Sequence, residues 1–194
     1  MACLESKVDV ASLLLDNGAD VHRAKEHGWT PLYIACSKNH VDMARLLLDK
    51  GAEVDRANQN GATPLYVACQ NGHVDVARLL LDKGAYVDQV DKHGWTQLYV
   101  ACDKNHVDVA RLLLENDADV NREMKGGWTP LYIACQKGHV DVVQLLIDYN
   151  VDINCVNGGY STPLDIACEM KHCDIADKLR APKPSDAVIP SEFR

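Results

Sequence analysis

A chain of 194 residues with 47% apolar residues can bury a substantial core, and its formal net charge of −8 repels phosphate backbones and anionic lipid. Non-specific nucleic-acid and membrane binding are unexpected on that ground, and the longest apolar runs are a few residues, far short of a membrane span. Glu5, Lys7 and Asp9 interrupt any signal-peptide apolar region, so nothing points to secretion.

In chain order, residues 1–22 read as a partial unit: Ala2-Cys3 aligns with Ala35-Cys36, and Val8–Asp16 aligns with Val41–Asp49. The segment that opens every later unit is missing here, and an end of this kind leaves apolar surface in water. The chain is therefore expected to be a piece of a longer array or to be covered at this end. At Thr30–Cys36 the sequence T-P-L-Y-I-A-C opens the first complete unit, and it returns in closely related form at Thr63, Thr96, Thr129 and Thr162, each 33 residues after the last. Steps of constant length mean that one supersecondary unit is being stacked. The units are 23–55, 56–88, 89–121, 122–154 and a truncated 155–180, followed by a Pro-containing tail, 181–194, that reads as flexible.

Within a unit, Thr30 is a good helix N-cap and Pro31 suits the first helical position, where its missing N–H costs nothing. Leu32, Ile34, Ala35 and Cys36 make a short helix that is apolar nearly all round and must be buried on several sides. Asn39, Gly72, Asn105 and Gly138 accept the left-handed conformation that ends it. A second helix follows, Val41–Asp49 in the first complete unit, with Asp42 in its first turn and one apolar stripe at 41, 44, 47 and 48. Gly51 or Gly84 closes it, with Asp117 and Asn150 as less comfortable substitutes, and a polar, turn-rich stretch leads to the next Thr.

Two antiparallel helices and a turn-rich connector on a 33-residue period, with T-P-L at the first helix, resemble the ankyrin repeat over roughly residues 2–180. The resemblance implies an all-α solenoid of stacked helix-turn-helix units with projecting β-hairpin-like loops. The family's T-P-L-H histidine is Tyr33, Tyr66, Tyr99 and Tyr132 here, and Asp165 in the last unit, so the family's histidine hydrogen bonds do not carry over. Gln97 replaces the helix-opening proline and is expected to weaken that helix start slightly.

Of the eight cysteines, Cys3, Cys36, Cys69, Cys102, Cys135 and Cys168 share one repeat position. Stacked helices lie roughly 8–10 Å apart, beyond the roughly 7 Å Cα limit for a disulfide. They read as small buried thiols in a reducing, intracellular setting, cytoplasm or nucleus. Each unit pairs a cysteine with a histidine four residues on, from Cys36 and His40 to Cys168 and His172. Two ligands per unit fall short of the four that zinc needs. The last unit is denser, with Cys155, Cys168, His172 and Cys173, and a metal- or redox-dependent module there is the alternative from another functional class. No phosphate loop, nucleophile elbow or unique carboxylate pair is found, so neither catalysis nor a cofactor is expected.

Comparison of the units separates positions that the fold demands from positions that are free. The free ones are the loop tips before each Thr and the two residues after each first-helix cysteine. The resemblance implies that these sets line a concave groove where protein partners bind. Candidate partner-binding residues are Trp29, Trp95, Trp128, His27, His93, Lys92 and Lys125 on the tips, with Lys38, Gln70, Lys104, Gln136 and Lys137 at the first-helix ends. The tryptophans are either interface anchors or loop packing, since Ala62 and Ser161 show that an aromatic is not required there. The lysines make the groove neutral to mildly basic and favour an acidic or aromatic-bearing protein or peptide. A structural spacer segment of a longer array is a further alternative, and a monomer is the expected state.

Overall fold

The computed structural model describes residues 2–181, and the side chains of residues 7–181. Beyond Ala181 the expected tail lies outside the described residues. Eleven α-helices are described: α1 (Ala2–Asp16), α2 (Pro31–Ser37), α3 (Val41–Asp49), α4 (Pro64–Gln70), α5 (Val74–Asp82), α6 (Gln97–Asp103), α7 (Val107–Glu115), α8 (Pro130–Lys137), α9 (Val140–Asp148), α10 (Pro163–Glu169) and α11 (Cys173–Arg180). The first helices α2, α4, α6, α8 and α10 stack in one layer, and the second helices α1, α3, α5, α7, α9 and α11 in another.

Each first helix begins for the same reason. The hydroxyl oxygen of Thr30 accepts from the Tyr33 N–H at 3.1 Å, and Thr63, Thr96, Thr129 and Thr162 repeat the bond. In the last unit Asp165 returns it, its carboxylate accepting from the Thr162 N–H at 2.9 Å. Each first helix is closed by a residue at positive φ: Asn39 (58°), Gly72 (74°), Asn105 (61°), Gly138 (77°) and Lys171 (62°). Where that punctuation is missing the break disappears. Ser6 stands at the position of Asn39, and α1 runs as one 15-residue helix instead of the interrupted pair seen later.

Successive units are tied by polar bonds as well as by apolar packing. The histidine before each second helix from α5 onward makes no cap bond of its own and reaches back to the first helix of the preceding unit. The Nε2 of His73, His106, His139 and His172 lies 3.1–3.3 Å from the carbonyl oxygens of Ser37, Gln70, Asp103 and Gln136. A carbonyl can only accept, so Nε2 carries the proton. On the connector, Asp55, Asp88 and Asn121 accept from the backbone N–H groups of Tyr86, Asp119 and Asp152 one unit further on. Lys50 to Asp16 and Lys83 to Asp49 repeat an ion pair between neighbouring second helices.

The core follows from this stacking. Leu65, Leu98 and Leu131 on the first helices, and Leu80, Leu113 and Leu146 on the second, are fully buried. Cys36, Cys69, Cys102 and Cys135 are buried with them, while Cys155 is half-buried and Cys173 exposed. Cys168, expected to be buried like its repeats, is exposed, because no further unit among the described residues covers its side of α10. The side chain of Cys3 lies outside the described residues.

Candidate functional site

Two kinds of contact hold the tips in place, one between neighbouring tips and one to the start of each first helix. Each tip closes on itself by a pair of backbone bonds, such as Asn58 N–H to Ala62 O at 2.9 Å and Gly61 N–H to Asn58 O at 2.9 Å. Neighbouring tips are linked by Gln59 N–H to His27 O, Lys92 N–H to Asn60 O and Gly158 N–H to Gly126 O, at 2.7–3.0 Å. Each tip tryptophan then packs on the tyrosine four residues later, inside its own first helix. Trp29 stacks on Tyr33 at 6.3 Å and 8°, Trp95 tilts against Tyr99 at 5.6 Å, and Trp128 meets Tyr132 edge-on at 4.8 Å. His27 and His93 add a third ring, 5.9 and 5.8 Å from Trp29 and Trp95. Edge-to-face and offset geometries of this kind are attractive in their own right.

These contacts grade the tryptophans. Trp95 and Trp128 are half-buried against the core, so part of each ring is loop packing. Trp29 remains 43% exposed. The tyrosines, absent from the candidate set, were legible as the aromatic four residues after each Trp. Tyrosines of this repeat position also reach the next unit: the Tyr66 hydroxyl, four residues after Ala62, donates to the Asp91 carboxylate at 3.4 Å, and Tyr33 bonds Asn58. Burial pushes the Tyr99 phenol up to about 12, with Asp103 adding to the effect, so it stays neutral.

The lysines divide as well. Lys38, Lys92 and Lys125 are exposed, and no ion pair engages them among the described residues. Lys104 and Lys137 instead converge on Asp103 at 2.8 and 3.8 Å, a carboxylate only 16% exposed, which offsets part of their charge. Gln70 and Gln136 are half-buried, and their backbone carbonyls hold His106 and His172. Lys25 and Met124 break the pattern of the tips, since neither side chain offers an acceptor. Asn58, Asp91 and Asn157 each accept from two N–H groups of their own tip, which Met124 cannot do. No backbone bond joins His93 to Lys125 across that junction.

The cysteine–histidine pairs do not assemble. Each histidine except His40 donates to a carbonyl of the preceding unit. In the last unit the thiol of Cys155 faces the Thr129 hydroxyl at 3.4 Å, that of Cys173 the Lys171 carbonyl at 3.8 Å, and that of Cys168 the Arg180 guanidinium at 3.4 Å. Among the described residues, no three His, Cys, Asp or Glu side chains come together as a metal site would require. Burial pushes the thiols of Cys36 and Cys135 up to about 12, and those of Cys69 and Cys102 upward as well, which makes all four inert.

With the stacked units and the row of loop tips in view, the comparisons agree. A family model described as ankyrin repeats (3 copies) matches residues 1–58 and 51–124, and one described as ankyrin repeats (many copies) matches residues 115–167. The chain belongs to the ankyrin-repeat family. Repeats of this kind are generally protein–protein interaction modules and generally non-catalytic. No curated protein matches the chain. No helix among the described residues is long and apolar enough to cross a membrane.

Proposed function

We propose that this chain is a non-catalytic scaffold, acting inside the cell, that holds an acidic or aromatic-bearing protein segment on the concave side made by its tips and first-helix ends. The observation that carries this reading is the division of labour between repeated and free positions. The repeated residues of the first helices are mostly buried, and the repeated histidines from His73 to His172 bond the preceding unit. The free residues Trp29, Lys38, Lys92 and Lys125 are exposed, with no ion pair of their own among the described residues. Their three ammonium groups complement a carboxylate-bearing segment, and the exposed indole offers an anchor for an apolar or aromatic side chain.

The test is affinity capture with mass spectrometry, comparing the chain with Lys38→Glu/Lys92→Glu/Lys125→Glu. Surface substitutions of this kind shift stability by about 0.5 kcal/mol or less each, so fold should be kept. A partner held by the unaltered chain and lost from the triple variant supports the reading. Equal capture by both would move binding elsewhere.

A further inference from the structure

Neighbouring loop tips are joined by one recurring bond: Gln59 N–H donates to His27 O, Lys92 N–H to Asn60 O and Gly158 N–H to Gly126 O. On the same 33-residue period the remaining bond would run from Lys125 N–H to His93 O. Among the described residues neither of those groups takes part in a hydrogen bond, and both residues are exposed. The open junction lies between the third and fourth complete units, with bonded junctions on either side of it.

The cause lies one residue before the donor. Each donor that is engaged follows Asn58, Asp91 or Asn157, whose side chain accepts from two N–H groups of its own tip and so fixes the course of the chain. Lys125 follows Met124, whose side chain packs on the core and accepts nothing. The space beside the acceptor is open as well. A Cβ on Gly94 would meet nothing within 4 Å, where one on Gly28, Gly61 or Gly127 would fall 2.9–3.1 Å from the next tip. Trp128 turns onto its own tip, its indole nitrogen 3.1 Å from where a Cβ on Gly126 would stand. Lys92 and Lys125 border the junction in sequence, both exposed and without an ion pair among the described residues.

We infer that this open junction takes the main chain of an extended acidic segment of the partner protein. A trans peptide group points its N–H and its C=O in opposite directions, so one such group can serve both tips. Its N–H donates to His93 O, and its C=O accepts from Lys125 N–H, a bridge in place of the direct bond made at the other junctions. Carboxylates on the neighbouring residues of the segment meet Lys92 and Lys125. Unpaired backbone groups of this kind are the usual template for an added extended chain, with main-chain bonds supplying affinity and side chains supplying selectivity. The inference rests on the proposed function and narrows it to the third and fourth units.

The test follows the backbone amides of the full, isotope-labelled chain by NMR. In the free chain the Lys125 amide should exchange its hydrogen fast while that of Lys92 is protected; equal protection would overturn the inference. The probe is a short synthetic peptide of alternating Glu and Val, a pattern that favours an extended chain. Its addition should move the Lys125 signal saturably and slow the exchange there. The same peptide N-methylated throughout keeps its charge but has no N–H to give, and should bind about fivefold or more weakly. Met124→Asn, which gives Lys125 N–H the setting of Lys92 N–H, should weaken the unmodified peptide likewise. Equal affinity for the N-methylated peptide, or shifts confined to other tips, would overturn the inference and leave the acidic-segment reading standing. No saturation up to about 1 mM would overturn it too, and the capture experiment with Lys38→Glu/Lys92→Glu/Lys125→Glu decides the proposed function separately.

Discussion

Gln97 is the residue at which this chain departs furthest from its own rule. It is fully buried, and both its amide oxygen and its amide nitrogen lack a hydrogen-bond partner. The helix start itself is intact, because Thr96 still caps the Tyr99 N–H at 3.1 Å. The expected weakening therefore lies in burying an unpaired amide, a cost of about 1–3 kcal/mol, more than in losing a proline. Thr96 already has the extended backbone, φ −87° and ψ 166°, that a following proline demands. Gln97→Pro is predicted to raise stability by about 1–2 kcal/mol, read from urea unfolding midpoints. Leu113→Ala, at a fully buried position, should instead cost about 2–5 kcal/mol. The thiols offer a third check. Iodoacetamide labelling mapped by mass spectrometry should modify Cys168 and Cys173 in the folded protein and spare Cys36, Cys69, Cys102 and Cys135 until it unfolds.

At the scale of the element, the tips differ in how well they are held. Met124 offers no acceptor where Asn58, Asp91 and Asn157 do, and a Cβ on Gly94 would meet nothing within 4 Å, whereas Gly28, Gly61 and Gly127 meet the next tip at 2.9–3.1 Å. Met124→Asn would supply the two side-chain bonds within the tip. It is predicted to add about 1 kcal/mol and to slow amide hydrogen exchange from Lys125 to Trp128; unchanged exchange would show that the tip is ordered by other means. The helices were legible residue by residue, since caps, apolar stripes and left-handed closers are all local. α3 runs over Val41–Asp49 as the pattern predicts, and each first helix opens just after its Thr. The hold of each tip was less legible, because it depends on which side chain meets the neighbouring unit. Trp–Tyr packing, the convergence of Lys104 and Lys137 on Asp103, and the exposure of Cys168 at the last unit all arise between segments that only stacking brings together.

For the molecule as a whole, acid should loosen the array. The carboxylates of Asp16 and Asp49 are held below their usual range by Lys50 and Lys83, and that of Asp165 by the Thr162 N–H and hydroxyl. Folded values below the unfolded ones mean that this stabilisation is present above about pH 4 and is lost as pH falls through the lower folded values. The thermal midpoint should hold between pH 7 and about pH 5 and fall below about pH 4. The proposed function requires that binding resides in the free residues while the repeated framework only carries them. Its most direct test is the fraction of one captured partner retained by Lys38→Glu/Lys92→Glu/Lys125→Glu, set against Arg45→Glu/Arg78→Glu/Arg111→Glu, an equal charge change at exposed positions of the second helices. Loss by the first variant with retention by the second is the predicted result. Equal loss by both, or loss only by the second, would contradict the claim.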